Sequence, residues 1–208
     1  MPAGIYNFTI EQGTTWSKTF YFAQSGAGRV FPLDSSASVA VDATAKTFTR
    51  DDGGSWLDDG LADGDYIVHA GFGEVENNGS HLITDLTATV ITCAGSTLKD
   101  EAVSPSVSGE QLVILKAMDL TDYTGAAMVR KKYSSTTAAA TMTVAFDPIR
   151  TNGAVSLSLT NTQTSAIPCG EDAEGLASQY VWDFELTKTS VVARMLQGTV
   201  SVSPEATK

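Results

Sequence analysis

Apolar and polar residues alternate along short segments of the chain, which is the pattern of β-strands with one buried face. The clearest segment is 180–187, where four large apolar residues share one face: Tyr180, Trp182, Phe184 and Leu186. Residues 188–190 predict a turn, and residues 191–202 predict a return strand. The C-terminal part is therefore predicted to be a β-hairpin at the centre of a sandwich.

Similar short segments recur through the rest of the chain, separated by Gly, Pro, Asn and Asp. The further predicted strands lie at 6–10, 15–22, 30–34, 37–49, 66–70, 81–86, 89–93, 110–116, 126–133, 141–146 and 153–159. Residues 24–28 and 77–79 predict turns, the second with an Asn-Gly pair that favours tight hairpins. Thr160 is predicted to cap a helical turn at residues 160–166, and no helix longer than two turns is expected. The pattern therefore predicts an all-β protein.

The composition and the net charge of the chain argue against some kinds of binding partner. The chain has 208 residues, of which 18% are charged, and a net charge of −11. Such an acidic chain is poorly suited to a nucleic-acid backbone, which needs clustered Lys and Arg. Residues 35–116 hold 13 acidic and 4 basic side chains, a net of −9, so the acidity indicates a separate domain. Neither a signal peptide nor a membrane-spanning apolar run is expected.

Candidate chemical sites each have a simpler structural interpretation. Six aspartates could bind calcium but do not have EF-hand spacing, and solvated turns are favoured instead: Asp51, Asp52, Asp58, Asp59, Asp63 and Asp65. His69 and His81 lack a metal-binding or catalytic motif and are interpreted as ordinary strand residues. A glycosidase-like carboxylate pair is conceivable but disfavoured among Glu171, Asp172, Glu174, Asp183 and Glu185. No catalytic, metal or cofactor-binding residue is predicted, and the protein is not expected to be an enzyme.

The remaining candidates are two cysteines, which could form a disulfide, and residues that could contact another subunit. Cys93 and Cys169 form no CxxC pair, and two unpaired thiols in a reducing cytoplasm are favoured, although a disulfide stays open. Trp56 stands in a Gly/Asp-rich loop, where an exposed indole would indicate contact with another subunit. The basic cluster Arg130, Lys131 and Lys132 is a second candidate interaction site, with a solvated strand end as the simpler interpretation.

Three blocks of sequence resemble small virion proteins of tailed phages. They are residues 5–20, residues 119–131, which include Leu-Thr-Asp-Tyr-Thr, and residues 182–207, which end in Gly-Thr-Val-Ser-Val-Ser-Pro-Glu-Ala-Thr. The resemblance is to the immunoglobulin-like N-terminal module of phage upper-baseplate proteins. In that family the Pro-Ile-Asp-Leu-Thr-Gly-Tyr-Thr motif is continuous. Here Pro32-Leu-Asp34 is separated from residues 120–124, which predicts an insertion at a loop of the sandwich.

The inserted part has its own resemblance. Residues 46–68, 71–72, 77–80 and 98–102 are similar to a small β module that recurs in phage tail and virion proteins. The predicted fold is therefore a discontinuous immunoglobulin-like β-sandwich, residues 1–34 and 119–208, with an acidic β module inserted at 35–118.

The resemblance implies a structural protein of the virion that is assembled in the host cytoplasm. Its expected position is the tail, baseplate or fibre-attachment region, and its expected partners are other virion subunits and symmetric copies of itself, without nucleic acid or membrane. Two alternatives stay open. A capsid decoration protein would use the same fold on the head, and a host-binding adhesin would need an exposed ligand pocket or a calcium loop.

Overall fold

The computed structural model describes residues 3–31, 38–95, 97–103, 111–169 and 177–204, and their regular structure is almost entirely β. The predicted all-β, sandwich-type class is confirmed. In chain order the strands are β1 (Gly4–Ile5), β2 (Phe8–Glu11), β3 (Trp16–Tyr21), β4 (Ala23–Phe31), β5 (Val39–Asp42), β6 (Thr47–Arg50), β7 (Tyr66–Ala70), β8 (Gly79–Leu86), β9 (Val90–Cys93), β10 (Glu101–Val103), β11 (Leu112–Ala117), β12 (Thr124–Arg130), β13 (Ala140–Thr141), β14 (Thr143–Phe146), β15 (Ala154–Leu159), β16 (Ser178–Lys188) and β17 (Val191–Ser203).

Short helical turns complete the described secondary structure. Two single-turn 3-10 helices cover Val75–Asn77 and Arg150–Asn152, and helix α1 covers Asn161–Ser165. The Thr160 hydroxyl accepts the Gln163 amide N–H, and the Gln163 side chain accepts the Thr160 amide N–H, which forms a capping box. The predicted cap at Thr160 is therefore present. Among the described residues, no helix has the length and apolar character needed to cross a membrane.

The chain divides into two compact units. The first, here the sandwich unit, comprises Met1–Phe20, Asp122–Phe146 and Val155–Lys208. The second, here the acidic unit, comprises Tyr21–Thr121 and Asp147–Ala154. The acidic unit holds 16 of the chain's 24 Asp and Glu residues and 6 of its 13 Lys and Arg residues, a net of −10.

These boundaries differ from the predicted insertion at 35–118. Strand β4 pairs with β11 in antiparallel register, with Phe31 opposite Leu112, so residues 23–31 belong to the sheet of the acidic unit. The predicted sandwich segment 1–34 is therefore shorter in the structure. Pro32, Leu33 and Asp34, at the predicted junction, lie outside the described residues.

The sandwich unit is built from two sheets. The larger has the order β1-β17-β16-β12-β13, with β2 also pairing with β17, and the smaller has the order β14-β15-β3. Side chains from both sheets meet in the core, where the Phe20 and Trp182 rings stack with centroids 6.3 Å apart. The immunoglobulin-like assignment of this sandwich stays a prediction.

The central hairpin has the predicted alternation. In β16 every second residue is buried, including Tyr180, Trp182, Phe184 and Leu186, and β17 returns beside it after a turn at 189–190. The face pattern of this hairpin was therefore predictable from residue types alone.

Trp182 joins the N-terminal strands to the hairpin. Its indole N–H donates to the carbonyl oxygen of Tyr6 over 2.7 Å, and the rings of Tyr6 and Phe8 contact it edge to face. Gly198 lies opposite Trp182 in the ladder, where a Cβ would collide with the Tyr6 carbonyl oxygen. The absence of a side chain at 198 thus allows the N-terminal backbone to approach β17 closely.

The acidic unit contains one eight-stranded antiparallel sheet in the order β10-β5-β6-β9-β8-β7-β11-β4. Val103 from one end strand and Phe31 from the other belong to the same hydrophobic cluster. The sheet therefore curls around a single core, whose largest fully buried side chains include Trp56, Phe31 and Phe48.

Candidate docking sites

Trp56 is not an exposed contact residue. Its side chain is 0% exposed and its indole N–H donates to the Thr89 carbonyl oxygen over 3.2 Å. The Arg50 guanidinium lies over its ring, with Cζ 4.3 Å from the ring centroid. The Gly/Asp-rich loop folds the indole inward, because the apolar core and the arginine cover both of its faces, so Trp56 is a core residue of the acidic unit.

The aspartates around Trp56 form ion pairs and turn hydrogen bonds. Asp52 and Asp59 accept bonds from buried Arg50 at 2.5 and 2.6 Å, and Asp65 is ion-paired with Lys116 at 2.7 Å. The bonds from Arg50 lower the pKa of Asp52, and a bond from the Ser38 amide lowers the pKa of Asp51. Within the described ranges, no three His, Cys, Asp or Glu side chains come together as a metal-binding group. These carboxylates stabilise a loop.

The two histidines lie side by side in the core of the acidic unit, as strand residues of β7 and β8. In the ladder His69 is opposite Gly79 and Ile67 is opposite His81, so the histidines are diagonal neighbours with ring centroids 5.0 Å apart. Burial lowers the pKa of both, and His69, fully enclosed beside Phe48, is lowered most and also by its neighbour His81. Two neutral imidazoles are therefore packed together. The sequence predicted their strands but not their pairing.

The remaining candidates are the carboxylates considered for a glycosidase-like pair and the two cysteines. Glu171, Asp172 and Glu174 lie outside the described residues, and Asp183 and Glu185 are ion-paired with Arg194. Neither Cys93 nor Cys169 forms a disulfide in the described part of the chain. Burial raises the pKa of Cys93 to about 12, and the Cys169 thiol donates to the Val202 carbonyl oxygen over 2.8 Å.

The basic cluster Arg130–Lys132 does not form one patch. Lys131 points towards the core side, where its ammonium nitrogen lies 5.0 Å from the centroid of the Tyr180 ring. Lys132 is exposed at the start of the turn that follows β12. Arg130, the last residue of β12, lies on the outer face of the sheet, because its neighbour Val129 is buried and side chains alternate along a strand. Of the three, Arg130 is the residue that contributes to a concave surface.

That surface is a depression of about 160 Å³ on the outer face of the larger sheet. It is lined by Met128, Arg130, Tyr133, Val181, Trp182, Asp183 and Arg194. The ladder explains the grouping, since Met128 is opposite Asp183 and Arg130 is opposite Val181. Sequence analysis identified Arg130 but not Arg194, which comes from β17 and reaches the depression through its ion pair with Asp183 at 3.4 Å.

An open strand edge lies beside this depression. β17 runs from Val191 to Ser203, but on the side away from β16 its described partners are β1, at residues 196–197, and β2, at residues 200–203. Residues 191–195 therefore form an unpaired edge in the described structure. Val191 and Val192 on this edge are 71% and 57% exposed. Exposed β-branched residues on an unpaired edge are the features that a further strand recognises.

Comparison with known proteins gives no relative: no protein-family model matches the chain, and no curated protein matches it significantly.

Proposed function

We propose that the protein is a structural component of a tailed-phage particle and that it works by docking on neighbouring subunits. The docking element is the edge of β17 at residues 191–195, which accepts an extended segment of a neighbour. The tail, baseplate or fibre-attachment region is the proposed position. The resemblance of residues 5–20, 119–131 and 182–207 to phage virion proteins supports the origin, and the all-β architecture agrees with it.

The observation that carries the docking role is the exposure of Val191 and Val192 on an edge that has no strand partner among the described residues. Soluble β proteins usually cover or charge such edges, because free backbone N–H and C=O groups template the addition of another strand. Within residues 191–195 the charged residue is Arg194, and Lys188 lies opposite Val191 on the neighbouring strand β16.

The direct test is the composition of the particle. Mass spectrometry of gradient-purified particles from the source phage is expected to detect this chain in a fixed, symmetric copy number. A cryo-EM map of the same particles is expected to place it at the tail, baseplate or fibre attachment, with a neighbouring strand beside residues 191–195. Absence of the chain from intact infectious particles would contradict the proposal. Copies on the head lattice would instead identify a decoration protein.

A further inference from the structure

The two arginines of the depression differ in their electrostatic partners. Arg194 is ion-paired with Asp183 and Glu185, at 3.4 and 3.3 Å. Arg130 donates to the Ser135 carbonyl oxygen over 2.9 Å and to the Met128 sulfur at 3.1 Å, and no carboxylate in the described part of the chain is within ion-pair distance of it. A guanidinium has five N–H donors, so Arg130 keeps donors that these two neutral acceptors do not use.

The size of the depression limits what it accepts. Small-molecule sites usually measure roughly 300–1,000 Å³, whereas this depression measures about 160 Å³. It therefore fits one side chain better than a cofactor. Val181 and Met128 supply a small apolar surface for methylene groups, and the largely exposed Tyr133 ring supplies a hydroxyl. The combination of apolar lining and free guanidinium donors matches a short aliphatic chain that ends in an anion.

We propose that this depression binds the carboxylate of an Asp or Glu side chain presented by a neighbouring subunit. Arg130 is the principal ligand, because its planar N–H groups bind a carboxylate in bidentate fashion. Arg194 lines the same depression, but its charge is paired with Asp183 and Glu185. Asp183 repels a second anion, so the site takes one carboxylate. The identity of the partner rests on the proposed function, whereas recognition of a carboxylate rests on the depression itself.

The test is an NMR titration of the full-length protein with N-acetylglutamate N-methylamide, which carries the glutamate side chain. The expected result is a saturable shift of the Arg130 and Arg194 Nε–H signals. The neutral counterpart N-acetylglutamine N-methylamide is expected to bind at least about tenfold more weakly, because it lacks the charge that strengthens the hydrogen bonds. Arg130→Gln is expected to abolish saturation, and Lys132→Gln, an exposed neighbour, is the matched control that leaves it unchanged.

Other outcomes decide against the proposal. No saturable shift, or equal binding of the glutamate and glutamine compounds, overturns carboxylate recognition. Tighter binding of inorganic phosphate replaces it with a phosphate site. Because Arg130 also bonds to Ser135 in the following turn, Arg194→Gln is a second variant, expected to weaken binding while amide signals far from the depression stay fixed. A protein that binds the glutamate compound but is absent from particles overturns the proposed function and leaves the carboxylate site in place.

Discussion

The guanidinium of Arg50 lies 4.3 Å above the indole ring of Trp56, and both side chains are enclosed in the acidic unit. The arginine has two acidic partners, Asp52 and Asp59, at 2.5 and 2.6 Å. A buried charge needs partners of this kind, because burial removes it from water. The relationship explains how a Gly/Asp-rich loop, whose residues suggest solvent, instead closes over an aromatic core.

Removing this arginine is predicted to destabilise the protein strongly. Arg50→Met keeps the aliphatic stem but leaves Asp59 without its cation and Asp52 with only the longer pair to Arg29, and the expected loss is about 3–5 kcal/mol in the free energy of unfolding. Urea denaturation measures the loss. Arg29→Met is the matched control, because Arg29 also pairs with Asp52, at 3.5 Å, but its side chain is 44% exposed, so the expected loss is below about 1 kcal/mol. Equal losses in the two variants would contradict the structural role of Arg50.

The second prediction concerns the core of the sandwich unit. Trp182→Ala is expected to cost about 3–5 kcal/mol, because it opens a cavity among aromatic rings and leaves the Tyr6 carbonyl oxygen without its donor. Trp182→Phe keeps a ring and is expected to lose less. Tyr133→Ala is the control, since that ring is 56% exposed. Chemical denaturation monitored by circular dichroism compares the three, and a negligible loss for Trp182→Ala would place its face outside the core.

Strand β16 and helix α1 were predictable because both depend on local patterns. Alternation over 180–187 is enough to place Tyr180, Trp182 and Phe184 on the buried face, and the Thr160 and Gln163 side chains cap a turn from within it. Such features need no knowledge of distant residues.

Strand β4 and Trp56 were not predictable in this way. The sequence predicts a turn at 24–28, whereas β4 covers these residues with a bulge, since Gly28 pairs with Leu115 and Ala23 with Ala117. At Gly28, with φ at +93°, a Cβ would be 2.7 Å from the Leu115 Cα. That constraint comes from a strand more than 80 residues away. The burial of Trp56 likewise depends on Arg50, and the depression depends on the register between β12, β16 and β17. The contact between Arg50 and Trp56 and the register of these three strands are not visible in the local pattern of apolar and polar residues.

Acid is predicted to destabilise the acidic unit through its paired histidines. Both have a folded pKa below the usual value near 6.5, so the unfolded chain binds protons first as the pH falls. The stabilisation is complete above about pH 6.5 and is lost below it, by up to about 1.4 kcal/mol per pH unit for each histidine until the folded pKa is reached. Urea denaturation between pH 8 and pH 5 measures this slope.

Substituted proteins identify the groups responsible for the slope. His69→Leu is expected to flatten it most, because the ring of His69 is fully enclosed, and His81→Leu is expected to flatten it partly. The comparison uses the slope and not the absolute stability, which each substitution also changes. The usual pKa of Asp51 and Asp52 is 3.8, so their contribution falls at lower pH. An unchanged slope in both variants would show that other groups cause the acid sensitivity.

The open edge of β17 is predicted to govern incorporation into particles without affecting folding. Val192→Lys places a charge on the unpaired edge, where it blocks an added strand, while the exposed position keeps the change in stability within about 0.5 kcal/mol. Because the interface loses the burial of one valine, the variant protein is expected to be incorporated into particles at least roughly tenfold less. Mass spectrometry of particles complemented in trans with the variant measures this. Val75→Lys, 76% exposed but in a 3-10 turn, is the control. Equal incorporation of both variants would show that docking does not use this edge.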